Sequence, residues 1–549
     1  MSAVNLSADT LDWGSDDSVL NLGNYDFDFS QAALSLGSNG NMAITGADTL
    51  LAAGDSRTLV DGTKAGKVTG LDAMAANNSY SYDLADGAVT VTGSGALKDN
   101  GKNLDYTISS IDKISYGTLD WKTGGTVVSL DAGKTYDLTN TKVDTANISF
   151  TANSLQSITS AGNYAMTLLD TKGNTTLSAG NLTAKEGKWD IGNALTGKGI
   201  ASLDSNGNVV YQMETTNVET GNGGQTVPVV TATEQTHQAL IANEAGMSTL
   251  AAGRDRMEGV LDGLQNQGNG TITFASIGGG RDRYDTDSSV TTHTWNGVAG
   301  IGNDTRLTSG DLTYGVFYEY GKGNYDVSGD GYAGSGDAHY NGGGIMGKFI
   351  GKNKTYIEGS LRFGQLDNDA DSVLHGTDGS AQRYRTSQNY WAGHIGVGHI
   401  FDLTDEAASE SRGGTERAVR DLDVYGKYFH THLGGDTFTA GDVNYAIDSM
   451  NSDVLRIGAR INNRSGRNNL YYGLAWDYEF DGESTGRVSA GGLSAPIRKA
   501  DVGGSSLMAE AGCKLEATPE NPWEVNLSLK AYAGQHEGLG GNIWAAYHF

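Results

Sequence analysis

GNIWAAYHF, Gly541–Phe549, is the stretch whose reading decides the fold. Every second residue back from Phe549 is Tyr547, Ala545, Ile543 and Gly541, and the intervening set is His548, Ala546, Trp544 and Asn542. One set is apolar with aromatics at the tip and the other is mixed, the period-two alternation of a strand with two unlike faces. A soluble domain usually ends in a polar, frayed segment. A last strand that pairs with the first of a closed sheet has no free edge and no such tail. The same alternation recurs upstream. In LYYGLAWDYEF, Leu470, Tyr472, Leu474, Trp476, Tyr478 and Phe480 share one face, while Asp477 and Glu479 lie on the other. In TYIEGSLRF, Ile357, Leu361 and Phe363 oppose Glu358 and Arg362; in WEVNLSLKAY, Val525, Leu527 and Leu529 oppose Glu524, Asn526, Ser528 and Lys530.

Extended over the C-terminal half, this pattern predicts twelve strands: 270–278, 291–302, 310–321, 337–349, 354–365, 387–401, 420–431, 444–461, 468–480, 505–515, 523–533 and 541–549. An apolar face opposite a charged one suits either a soluble sandwich or a membrane barrel with a watery lumen. Connection lengths separate the two. With the first strand running outward, connections 1–2, 3–4, 5–6, 7–8 and 9–10 fall on one side and are long and polar, as in GGRDRYDTDSSVTTH and DNDADSVLHGTDGSAQ. On the opposite side NDTRLTSG, IGKNK, NRSGR and EATPENP are short, and only DLTDEAASESRGGTERAVRD breaks the rule. Long outer loops and short inner turns fit an outer-membrane barrel.

Upstream of the strands, TEQTHQALIANEAGMSTLAAGRDRMEGVLDGLQ, Thr233–Gln265, is the one long helical segment. Leu240, Met247, Leu250, Met257, Leu261 and Leu264 form a narrow apolar stripe on it. GNGGQTVPVV, within 221–232, reads as a linker. Residues 1–221 are rich in Ser, Thr, Asn, Asp and Gly and hold an internal repeat. Thr10-Leu11-Asp12-Trp13 recurs as Thr118-Leu119-Asp120-Trp121, VLNL (Val19–Leu22) as VVSL (Val127–Leu130), and TLVD (Thr58–Asp61) as TLLD (Thr167–Asp170), a period of roughly 108 residues. Two copies of a strand-rich unit predict a β-solenoid, with a pair of β-sandwiches as the alternative. The expected fold is therefore all-β: a 12-stranded antiparallel barrel (266–549) with a helix (233–265), a linker (222–232) and a solenoid-like segment (1–221).

Composition bounds the function. A net charge of −27 disfavours nucleic acid and anionic lipid headgroups. The lone Cys513 excludes an internal disulfide; it shares a face with Leu507 and Leu515 and is expected to be lipid-facing or filler. No apolar run reaches the length of a membrane helix, which leaves a barrel open. MSAVNLSADT has neither a basic nor an apolar leader region, so export would call for a start lying upstream.

The order of these parts resembles the C-terminal half of a monomeric autotransporter, the type V secretion family: solenoid passenger, helical linker, twelve-stranded barrel and terminal aromatic. The resemblance covers Thr233 to Phe549, with Ile543, Tyr547 and Phe549 as the ending. It implies a cell-outer-membrane location, with the passenger at the cell surface. It also implies an assembly signal at that ending, read by the barrel-assembly machinery, with periplasmic chaperones as further partners, and a helix inside the pore. Its charges Arg254, Asp255, Arg256 and Glu258 would then meet lumen charges. Candidate lumen partners by alternation are Glu358, Arg362, Asp423, Lys427, Arg456, Arg460, Asp477, Glu479, Glu510, Lys514 and Lys530. Some family members cleave at a paired Asn in this helix; here a lone Asn243 precedes Glu244, which argues against that reaction.

Nothing points to an enzyme. All ten His lie at 237 or later, so residues 1–236 contain neither His nor Cys and no nucleophile of the Ser-His-Asp or Cys-His type. AGDSRT (Ala53–Thr58) reads as a turn, and DSNGN (Asp204–Asn208) as an Asn-Gly hairpin rather than a calcium loop. His430 and His432 share a strand face at the loop edge. The expectation is an autotransporter fragment, monomeric and without cofactor or metal, bound to outer-membrane lipid and displaying an adhesin- or stalk-like passenger that could engage a host or cell-surface ligand. A porin-like channel and a carbohydrate-active passenger are the alternatives.

Overall fold

The computed structural model describes residues 6–15, 17–74, 76–121, 125–150, 164–183, 186–220, 223–264, 266–285, 288–403 and 419–549. The chain forms two compact units, one built mainly from residues up to Thr231 and the other mainly from Ala232 onward.

In the first unit short strands pair in parallel with strands one turn of chain later. Leu20–Asn21 lies on Ser56–Asp61 with Leu20 opposite Val60, and Thr126–Ser129 lies on Ala165–Asp170 with Val128 opposite Leu169. These are the repeated VLNL/VVSL and TLVD/TLLD stretches, so the two copies make the same pairing at equivalent positions. Each copy then closes with antiparallel strands: Asn103–Tyr116 adds to the first of these pairs and Val209–Met213 to the second. The Asp that ends each strand turns the chain. Oδ1 of Asp61 accepts from the Thr63 amide at 2.9 Å and that of Asp170 from Lys172 at 3.2 Å. Asp12, Asp28, Asp137 and Asp144 do the same two residues on. A carboxylate closing such a ring stands in for a backbone turn, which is why Asp recurs there. Donation by the Thr139 hydroxyl, the Thr139 amide and the Thr176 hydroxyl holds the Asp137 carboxyl below its ordinary range.

The second unit is a helix, α1 (Glu234–Gly263), and a closed barrel. The barrel strands are β1 (Gly270–Asp285), β2 (Ser289–Arg306), β3 (Gly310–Gly329), β4 (Tyr332–Gly351), β5 (Thr355–His375), β6 (Ala381–Asp402), β7 (Val419–Leu433), β8 (Met450–Ser465), β9 (Asn468–Glu479), β10 (Gly504–Leu515), β11 (Trp523–Gly534) and β12 (His536–His548). Neighbours are antiparallel, and β12 closes the ring on β1 from Ile272 opposite His548 to Tyr284 opposite His536. Large apolar side chains point outward: Leu474 is 71% exposed, Leu527 57% and Ile543 48%, with Trp544 buried on the opposite face. Cys513 lies on the outward face.

Two expectations need correction. Several strands run well past their predicted ends: β5 has 21 residues and β6 has 22, about twice what a bilayer crossing uses. Much of GGRDRYDTDSSVTTH and DNDADSVLHGTDGSAQ is thus strand, not loop: among the described residues of the two stretches only Ser288 and 376–380 lie outside it. Where water wets the outer face, a polar residue fits as well as an apolar one, so the period-two signal fades although the ladder continues. The genuinely long connections, after β7 and β9, fold into further strands, Asp436–Ala440, Val443–Ile447 and Gly486–Ala490, paired antiparallel. The exceptional connection between β6 and β7 falls largely on 404–418, outside the described residues.

Candidate functional site in the barrel lumen

The inward face of each strand and the whole surface of α1 meet inside the ring. A 30-residue helix that is buried nearly all round is not an amphipathic surface helix. Its narrow apolar stripe serves one end. Met257, Val260, Leu261 and Leu264 pack with Ile272, Phe274, Val298, Phe317, Met346, Trp544 and Ala546. Above them the contacts are polar: Ser248 lies 2.9 Å from Thr292 on β2, and Asn368 on β5 donates to Ala242 O at 2.8 Å. Asn243 Nδ2 donates to Ser484 at 3.1 Å and its Oδ1 accepts from Gln388 at 3.0 Å.

Asp255, Glu258 and Asp262 recur at spacings of three, four and seven and form one acidic face. Opposite it stand four basic groups from three strands. Lys427 of β7 reaches Glu258 at 3.2 Å, Asp262 at 2.5 Å and Glu358 at 2.8 Å. Arg456 of β8, fully buried, pairs with Glu258 and holds Asp477 through two bonds at 2.8 and 2.7 Å. Arg460 bridges Asp262 at 2.9 Å to Glu510 at 2.7 Å, and Lys530 meets Glu258 at 2.9 Å. Buried charges are tolerated only when paired and hydrogen-bonded in this way. Two further lysines face backbone: Lys348 donates to Leu261 O at 3.1 Å and Lys514 to Gly263 O at 2.5 Å. Both satisfy carbonyls at the helix C-terminus, where positive charge is favoured.

Every lumen candidate from the alternation faces inward, but their partners differ. Arg362 pairs with Glu319 at 2.9 Å rather than with the helix. Asp423 accepts from the Tyr356 hydroxyl at 3.1 Å, and Glu479 from Ser452 and the Asp453 amide, each at 2.6 Å. On the helix, Arg254 lies over the Phe429 ring at 4.9 Å and Arg256 donates to Asn296 at 2.8 Å. The candidates omit Asp262, Glu319 and Lys348, and Glu524, which alternation places on the charged face of its strand. The spacing from Asp255 and Glu258 was the available signal for Asp262.

Close packing leaves little open space beside the middle of the helix, where cavities of about 40 and 50 Å³ flank it, one against Glu244, Arg254 and His536, the other against Asp255 and Lys530; a larger cavity of about 390 Å³ opens at its C-terminal end, against Asp262, Gly263, Lys348 and Arg460. The two small cavities hold a few waters, not a channel. Helix glycines permit the fit. A Cβ on Gly253 would lie 2.0 Å from the Tyr340 hydroxyl, and one on Gly263 2.1 Å from the Trp544 ring. Gly253→Leu is therefore expected to lever α1 off β4 at an overpacking cost of about 1–3 kcal/mol. Current fluctuations in planar bilayers would report it, and a silent variant would show that the wall yields.

Such a unit is an outer-membrane barrel whose pore is filled by a helix of its own chain. Residues 273–529, most of the barrel, match the family model for the autotransporter beta-domain. Similar solved structures include the beta domain of the Bordetella autotransporter Brka, at 17% identity over 51% of this chain and 100% of that one, TM-score 0.39. The translocator domain of NalP from Neisseria meningitidis is 13% identical over 55% and 97%, TM-score 0.40. The transport unit of AIDA-I from Escherichia coli is 15% identical over 52% and 92%, TM-score 0.41. No curated protein matches the chain.

Proposed function

We propose that the barrel exports and then displays its own N-terminal region, residues 1–221, as a solenoid stalk or adhesin-like surface; the stretch read as a linker carries strands, Gly223–Pro228 paired with Thr215–Thr220 and Val230–Ala232 paired with Leu195–Leu203. The observation that supports this reading is the helix: the chain leaving the first unit continues directly into a segment that threads and fills the barrel. A porin-like channel has no use for that plug. For the displayed region, parallel strand pairing in two equivalent copies favours a stacked stalk, and the lack of His and Cys before residue 237 favours a non-enzymatic surface over a catalytic passenger. Export is tested by adding protease to intact cells: residues 1–221 should be shaved off while the barrel stays protected. Protection of both parts would overturn the proposal.

The assembly reading extends to Ile543, Tyr547 and Phe549. These face outward on β12, with Tyr547 4.7 Å from Phe549 and 5.0 Å from Trp523, ring to ring. Recognition of this aromatic edge by the barrel-assembly machinery, after delivery by periplasmic chaperones, would make it the insertion signal. Phe549→Ser is expected to lower folded barrel in outer-membrane fractions by about tenfold, a change of the size of one Phe transfer term. Unchanged heat-modifiable gel mobility and yield would remove the signal role and leave the barrel standing.

A further inference from the structure

At the end of the barrel where β3 turns into β4, the first turn of α1 meets a cluster that the plug itself does not explain. Glu234, His237 and Asp330 each present one ligand atom, all within 4.8 Å of one another. Asp330 sits at φ 55° and Gly331 at φ 82° in the tight turn between the two strands, a rigid platform. His237 is 1% exposed. Its Nε2 faces the carbonyl oxygen of Lys499 at 3.2 Å and so carries the proton. That leaves Nδ1 with a lone pair, 3.0 Å from Asp330 Oδ2, which is also an acceptor. Two acceptors at that distance call for a positive group or a donor that serves both. The guanidinium of Arg498 answers the same need. Its Nη2 is 2.9 Å from His237 Nδ1 and contacts Asp330, and its Nε is 3.3 Å from Glu234. All three ligand atoms thus converge on one positive charge, supplied by a side chain that is 39% exposed.

We propose that Glu234, His237 and Asp330 bind a divalent transition-metal cation of the zinc class, which staples the outer end of α1 to the β3–β4 turn. Imidazole nitrogen and carboxylate oxygen are both zinc ligands, and three of them leave an open position for water. The Lys499 carbonyl supplies the outer-shell bond that fixes the tautomer and aims Nδ1. Arg498 is then a competitor for the site. It leaves for solvent when the ion enters, and Glu234, the most exposed ligand, swings in to complete the set. Charge decides the exchange: a compact double charge satisfies two carboxylates and a lone pair better than a spread single one.

The full chain in detergent, titrated calorimetrically with zinc chloride and separately with magnesium chloride, tests this. A saturable zinc site is expected, with magnesium silent because it prefers an all-oxygen shell. Glu234→Gln, at an exposed residue that folding does not need, should weaken zinc by about tenfold or more, and His237→Ala should abolish the site. Arg498→Ala should tighten it. Retained heat-modifiable mobility checks that each variant is folded. Zinc binding that is unchanged in both Glu234→Gln and His237→Ala, or is lost in Arg498→Ala, would overturn the proposal. So would the absence of saturable binding, which would leave the Arg498 guanidinium as what satisfies His237.

Discussion

Removal of Glu234–Gly263 is expected to turn a silent barrel into a conducting one. In planar bilayers the intact chain should pass no steady current, because along its middle the helix leaves cavities of about 40 and 50 Å³, and the larger one of about 390 Å³ lies at its C-terminal end beside Asp262 and Gly263. Without α1 the twelve-stranded ring is left with a lumen lined by charge. The wall should survive the loss. Arg456 keeps Asp477, Arg460 keeps Glu510, Lys427 keeps Glu358 and Arg362 keeps Glu319, all strand to strand. Water entering the pore would solvate what the helix had paired. The apolar patch of Phe274, Val298, Phe317 and Trp544 would be newly wetted, so the open barrel should melt at a lower temperature. Stable open currents from the intact chain, or a deletion variant that folds and stays silent, would both defeat the plug.

Much of this arrangement was legible before any coordinates. Leu470, Tyr472, Leu474 and Trp476 alternate with Asp477 and Glu479 because lipid and lumen demand opposite chemistries, and the structure turns them as read. Strand ends were not legible. Past the bilayer the outer face of β5 is wet and its inner face meets polar groups of the helix, as Asn368 meets the Ala242 carbonyl, so Asp367, Asn368 and Asp369 carry no periodic signal although they lie in the ladder. The repeat of TLVD as TLLD gave a period, but not the role of its Asp, which depends on an amide two residues on.

The lumen was legible as a set of residues and illegible as a set of pairs. Alternation places Arg362 and Arg456 alike on inward faces. Only the rotation of α1 decides that Arg456 meets its acidic face while Arg362 turns to Glu319. Gly253 and Gly263 read as weak points in a helix by propensity, and only the wall explains them, since Tyr340 and Trp544 occupy the space of a side chain. Lys348 and Lys514 look like ordinary lumen charges until the last carbonyls of α1 are placed against them.

Arg456→Leu is expected to have the largest effect of any single change in the lumen. The guanidinium is fully buried and links Glu258 on the helix to Asp477 on β9, with Asp255 3.4 Å away. After substitution Glu258 retains Lys427 and Lys530, and Asp255 retains Arg254 and the Tyr532 hydroxyl. Asp477 loses both bonds that hold it. Removing one partner of a buried pair in this way costs about 3–5 kcal/mol. The loss should appear as a lower temperature for disappearance of the folded gel band. Arg456→Lys should fall between, because one ammonium cannot reproduce the two-pronged grip on Asp477. Adding Asp477→Asn to Arg456→Leu should recover part of the loss, since the stranded carboxylate is the main penalty. The same Arg456→Leu change in a barrel without α1 should cost much less, because water then reaches Asp477. Equal costs with and without the helix would show that Arg456 braces the wall alone and does not hold the plug in place.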